Sequence, residues 1–264
     1  MQSINDKNRF DEIKNQFSII NEKLSKLIES ANIDHRSVES HLNKLPFDKG
    51  KGEVENTIHK LYTQRNISIE IKEILIAAAK KVYERTDELS KEIKYLKSKG
   101  NTYLAETLEK IKIAVEKREP GSLSNIYENY NKREKENKIG ILNELIKSST
   151  AIFAYNEAIK FYSELIDLDP LAGNHFNFAY FLQRFNFFDE AIREYEEALK
   201  IYRELAKENP RTYEIDYAKT LIIGVHLFKK NKNNLKEARK ILNNYPGVYQ
   251  AQRLLKRIDN LEKK

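Results

Sequence analysis

Apolar residues recur along this chain with helical spacing almost from its first residues. Phe10, Ile13, Phe17, Ile20, Leu24, Leu27 and Ala31 fall at alternating steps of three and four, a heptad stripe. Such a stripe predicts a helix that seeks a partner, either within its own chain or in a second copy as a dimer. The pattern lapses over residues 30–52, where Leu45-Pro46-Phe47 and the run Asp48-Lys49-Gly50-Lys51-Gly52 read as a solvated connection and a boundary. Periodicity then predicts helices over 53–64 and 68–99, the latter with Ile71, Ile74, Leu75, Ala78, Val82, Leu89, Ile93 and Leu96 on one face. Thr86-Asp87-Glu88-Leu89 offers a cap that would divide this second stretch in two. Gly100 ends it, a further helix covers 102–118, and Pro120-Gly121 separates that helix from one over 121–137. Helices over 139–151 and 156–168 follow.

From residue 154 onward the pattern repeats. Setting Tyr155 on Phe188 aligns Glu157 with Glu190, Ala158 with Ala191, Ile159 with Ile192 and Tyr162 with Tyr195, and the two alanines lie 33 residues apart. Small residues, Ala179, Ala191, Ala198 and Gly224, fall where helices of a hairpin must approach closely. Phe178, Leu182, Tyr195, Leu199 and Ile201 are the bulky positions around them, and Pro170 and Pro210 end helices. This resembles the tetratricopeptide repeat (TPR) over residues 139–244. The unit ending at Pro210 has a lengthened second helix, as in the long repeats of kinesin light chain. The layout is also similar to bacterial TPR regulators associated with signalling or defence effectors. Ile126 is bulkier than the small residue the family has at that place, so the pair over 102–137 reads as a degenerate repeat, and Ile146, likewise bulky, implies looser packing of the first helix of the unit that begins at 139.

The resemblance implies an all-α fold: an antiparallel helix-hairpin TPR solenoid preceded by an N-terminal helical region. Its expected divisions are 1–52 (heptad helix and connection), 53–138 (helical region with the degenerate hairpin) and 139–264 (TPR array closed by a helix over 248–261). It also implies a concave groove lined by the first helix of each unit. On the family pattern that groove takes Asn143 and Lys147, then Phe176, Asn177, Tyr180, Gln183 and Arg184, then Leu221, Val225 and Phe228. Asn and Arg satisfy the backbone and carboxylates of an extended peptide, while Phe and Tyr anchor its side chains. A clamp for chaperone C-terminal carboxylates is not expected, because Ala218, Leu221 and Ile222 stand where its cations would be.

Composition narrows the remaining choices. Eight Gly and five Pro in 264 residues leave little room for the turns of an all-β domain, and 40% apolar with 33% charged residues suits long amphipathic helices. Without cysteine there is no disulfide, thiolate metal site or thiol nucleophile. The opening residues carry both signs of charge and no run approaches a membrane span, so a cytoplasmic protein without a membrane partner is expected. The net charge of +7 sits at the end: from Lys229 onward there are eleven Lys and Arg against three Asp and Glu.

That basic end carries an alternative, nucleic-acid binding through Lys229, Lys230, Lys236, Arg239 and Lys240, supported by Lys232, Arg253, Lys256 and Arg257 and with Tyr245 and Tyr249 as stacking platforms. Capping and solubility explain the same residues, and no nucleic-acid-binding motif accompanies them. No catalytic signature, cofactor loop or metal spacing is present; Gly50-Lys51-Gly52 lacks the phosphate-loop pattern, and His35, His41, His59, His175 and His226 form no ligand set. Glu194, Glu196 and Glu197 read as a solvated helical face with Lys200 and Arg203. The function expected is a non-enzymatic scaffold or adaptor for a peptide or protein partner, regulating an effector.

Overall fold

The computed structural model describes residues 40–263 apart from 43, 65, 66, 120, 134–136 and 186. The stripe Phe10–Ala31, and with it the proposed dimer helix, lies outside the described residues. The described residues form an all-α structure without a strand. A 3₁₀ turn at Phe47–Lys49 is followed by α1 (Lys51–Gln64), α2 (Ile69–Ser98), α3 (Thr102–Lys117), α4 (Ser122–Arg133), α5 (Lys138–Ala151) and α6 (Tyr155–Leu168). Then come α7 (Ala172–Arg184), α8 (Phe188–Glu208), α9 (Pro210–Phe228), α10 (Asn233–Leu242) and α11 (Tyr249–Glu262). The chain divides into two compact units, Met1–Ala158 and Ile159–Lys264, with the division inside α6.

In the first unit, α2 is the long element and packs on α1, α3 and α5. Its N-cap is Ser68, whose hydroxyl accepts from the Ile71 amide at 3.4 Å. It runs for 30 residues without a break at the expected cap, because the Thr86 hydroxyl donates back to the Tyr83 carbonyl at 2.8 Å inside the helix. Gly100, at φ 76°, ends α2 and lets the Asn101 amide reach back to the Leu96 carbonyl. α3 stops on Arg118, which takes the left-handed conformation itself at φ 49°. The stretch read as a solvated connection is not one over its described part. Leu42, Leu45 and Phe47 are all buried, and the turn at Phe47 packs on α1 and α3. Three apolar side chains outweigh the Gly-Lys run that follows.

In the second unit, α7 and α8 form an antiparallel hairpin, and α8, α9 and α10 continue the stack. Asn209 closes α8 and opens α9, with Pro210 at the first helical position, where its missing N–H costs nothing. Ala179, Ala191 and Ala198 are buried at the α7–α8 contact. Gly224 allows the closest approach of all: a Cβ there would collide with the fully buried Tyr195 ring and its hydroxyl. Tyr195 in turn donates to the Thr220 carbonyl at 3.3 Å and packs on Phe228, ring centroids 4.8 Å apart. Beyond α9, Ala218, Leu221, Ile222, Leu235, Ala238, Leu242, Ala251, Leu254 and Ile258 form one core cluster that α11 helps to close.

Candidate partner-binding surface

The face of α7 turned away from α8 is built by simple alternation. Ala172, His175, Phe178, Ala179, Phe181 and Leu182 are buried, which leaves Asn177 and Tyr180 outward and Phe176, Gln183 and Arg184 half-buried. Tyr180 is 38% exposed and carries the Arg184 guanidinium 5.9 Å from its ring centroid; the same guanidinium lies 5.8 Å from Phe185. Among the described residues Arg184 has no carboxylate partner. Lys219 of α9 sits 5.2 Å over the Phe176 ring. The support beneath is rigid. Tyr162 stacks on Phe178 at 4.9 Å and lies 5.2 Å from Phe181, and burial pushes its hydroxyl up to about 12. His175 Nδ1 meets Glu194 Oε2 of α8 at 2.7 Å, locking the hairpin.

The other expected groove residues fare differently. Asn143 and Lys147 are exposed on α5 in the first unit, but each side chain is held by its own helix. Asn143 donates to the Ile139 carbonyl at 3.0 Å and Lys147 to Glu144 at 2.8 Å. On α9 the expectation fails. Leu221 is 1% exposed within the core cluster, Val225 packs against that cluster, and Phe228 is taken up by Tyr195. Leu221 and Val225 are taken up by the core that α8, α9, α10 and α11 build together, and Phe228 by α8.

The basic end is partly neutralised. Lys230 pairs with Glu196 at 2.6 Å, and Arg239 bonds both Asp259 and Glu262 at 2.7 Å. Lys229, Lys236 and Lys240 are exposed and have no ion pair among the described residues. Tyr249 is exposed, with Arg253 5.8 Å from its ring, whereas the Tyr245 hydroxyl donates to Glu214 at 2.8 Å and is held beside Pro210. Arg253 and Lys256 point to solvent and Arg257 is half-buried. The acidic face of α8 is likewise engaged and not simply solvated. Besides Glu194 and Glu196, Arg203 Nε donates to the Tyr217 hydroxyl at 3.0 Å, which donates to Glu237 at 2.8 Å.

One polar cluster escaped sequence reasoning. Arg85 is 5% exposed in the first unit: its Nε donates to Ser148 Oγ at 3.0 Å, one terminal nitrogen to Glu88 at 3.0 Å, and the other to the Glu144 carbonyl and carboxylate. Burial raises the Glu144 carboxyl, but the charge and hydrogen bonds of Arg85, with Lys147, outweigh it and hold the group below its ordinary value. The cluster ties α2 to α5. Its signal was present in the sequence, since Arg85 falls on the apolar stripe between Val82 and Leu89.

Among the described residues no group of three or more His, Asp or Glu side chains is placed to hold a metal ion, and no described helix is long and apolar enough to cross a membrane. No family model, curated protein or solved structure matches the chain.

Proposed function

We propose that the protein is a non-enzymatic binding module of TPR type, a scaffold that captures a protein or peptide on the outer face of α7 and thereby regulates an effector in the cytoplasm. The observation that carries this reading is the pairing of Tyr180 and Arg184. An exposed aromatic ring with an arginine stacked on it, on a helix braced from behind by Tyr162 and His175–Glu194, is preorganised for an extended segment with an apolar and an acidic side chain. Asn177, one turn away and exposed, adds a donor and acceptor for the segment's backbone. The ion pairs of Lys230 and Arg239 weigh against the nucleic-acid alternative, because two of its five cations already have carboxylates.

The test is an affinity capture from the host's lysate, with and without nuclease, comparing the wild type with Tyr180→Ala/Arg184→Glu. A protein retained despite nuclease and lost from the folded double variant supports the reading and identifies the partner. Recovery of nucleic acid alone, unaffected by the double substitution, overturns it.

A further inference from the structure

The first unit carries an apolar strip that the α7 reading does not use. Ile69, Ile76 and Tyr83 follow one another at steps of seven on α2 and so share a face, a strip of roughly 21 Å at 1.5 Å per residue. Ile69 is 54% and Ile76 47% exposed. At Tyr83 the strip runs into a cavity of about 290 Å³ between the 3₁₀ turn, α2 and α3, lined in part by Phe47, Val82, Tyr83 and Ile113. Ile113 is 48% exposed at this cavity, and the Phe47 and Tyr83 ring centroids are 6.0 Å apart. The Tyr83 hydroxyl is buried and has no hydrogen-bond partner among the described residues. Glu73 and Lys80, both exposed, flank the strip on one side.

The chain itself holds a segment of matching pattern. Phe10, Phe17, Leu24 and Ala31 recur at the same step of seven, with Ile13, Ile20 and Leu27 between them. The segment joins the described chain at residue 40, and from there Leu42, Leu45 and Phe47 are buried, Phe47 against Tyr83 itself. Fully extended, the eight residues 32–39 span roughly 26 Å, at about 3.3 Å each, more than the length of the strip. A tether this short gives its own segment an effective concentration on the order of millimolar, which favours it over the same stripe in a second copy.

We propose that the stripe Phe10–Ala31 docks in cis as a helix along Ile69, Ile76 and Tyr83 of α2. The strip is then covered by the chain's own N-terminal segment, and the heptad stripe is not a dimer helix.

Hydrogen exchange on the full-length chain, wild type against Ile76→Asp, tests this. Ile76 is exposed, so the substitution leaves the fold in place, and unchanged exchange in α7 and α8 checks that. The expected result is protection of amides in 10–31 of about tenfold or more in the wild type, independent of protein concentration, and its loss in Ile76→Asp. An unprotected segment in the wild type overturns the proposal. So does protection indifferent to Ile76→Asp, which places the segment elsewhere. Protection that rises with concentration alongside a dimeric mass also overturns it, in favour of a second copy.

Discussion

α7 and α9 start from the same expectation and end in opposite states. Each is a helix with small residues toward α8, Ala179 on one and Gly224 on the other, and each carries large side chains on the face assigned to a groove. On α7 that face is open: Asn177 and Tyr180 meet solvent, with Arg184 beside them. On α9 it is closed by the core shared with α10 and α11, and Ala218, Leu221 and Ile222 are among the most buried residues of the unit. A repeat pattern thus assigns equivalent positions, but an element from later in the chain decides whether a position is surface or core. The residue types agree with the outcome. Asn, Tyr and Arg are tolerated at an open face, whereas Ala, Leu and Ile are suited to a covered one.

Stability measurements test this contrast. Leu221→Ala removes a buried side chain from the cluster that α11 closes and should cost about 2–5 kcal/mol in chemical denaturation, whereas Tyr180→Ala should stay within about 0.5 kcal/mol. Equal costs would mean that the two faces are not distinguished by cover. Gly224→Ala adds one methyl group where the Tyr195 ring has no room to retreat, and should cost about 1–3 kcal/mol by overpacking α8 against α9. A neutral outcome in the same denaturation experiment would show that the α8–α9 approach is looser than the geometry states. The smallest effect at neutral pH is that of Tyr162→Phe, near zero, with a difference that emerges on alkalinisation. The Tyr162 hydroxyl is raised in the folded state, so its contribution is full below its ordinary value of 10.0 and is lost as pH rises from there through about 12. The wild type should lose stability over that window faster than Tyr162→Phe, as followed by thermal melts; parallel curves would mean that the ring behind α7 is more solvated than its packing implies.

Helix positions were largely legible in the sequence, and the reason is local. A 3.6-residue period, a serine cap at 68 and glycine at 100 act over a few residues each, so they can be read without knowing what lies across the core. Two readings failed where a distant contact intervened. Thr86 looked like a cap by type, but it lies in the buried stripe of α2, where its hydroxyl is satisfied by the preceding turn. The Gly-Lys run before α1 looked solvated, while Leu42, Leu45 and Phe47 just ahead of it found a core to enter. The site was half legible. Tyr180 and Arg184 were identified by type and position; Leu221, Val225 and Phe228 were assigned to the same groove, and nothing in their local pattern reveals that the neighbouring helices take them up.

The sequence by itself determined an all-helical chain, the places of its helices and the small residues that let α7, α8 and α9 approach one another. These follow from periodicity and side-chain size, which are properties of neighbours along the chain. Packing settles which faces stay open and which charges find partners: the α8–α11 core around Leu221, Glu196 on Lys230, Asp259 and Glu262 on Arg239, Glu144 on Arg85. Those pairings join residues far apart in sequence. Burial and charge neutralisation depend on who arrives at a surface, and that is a property of packing.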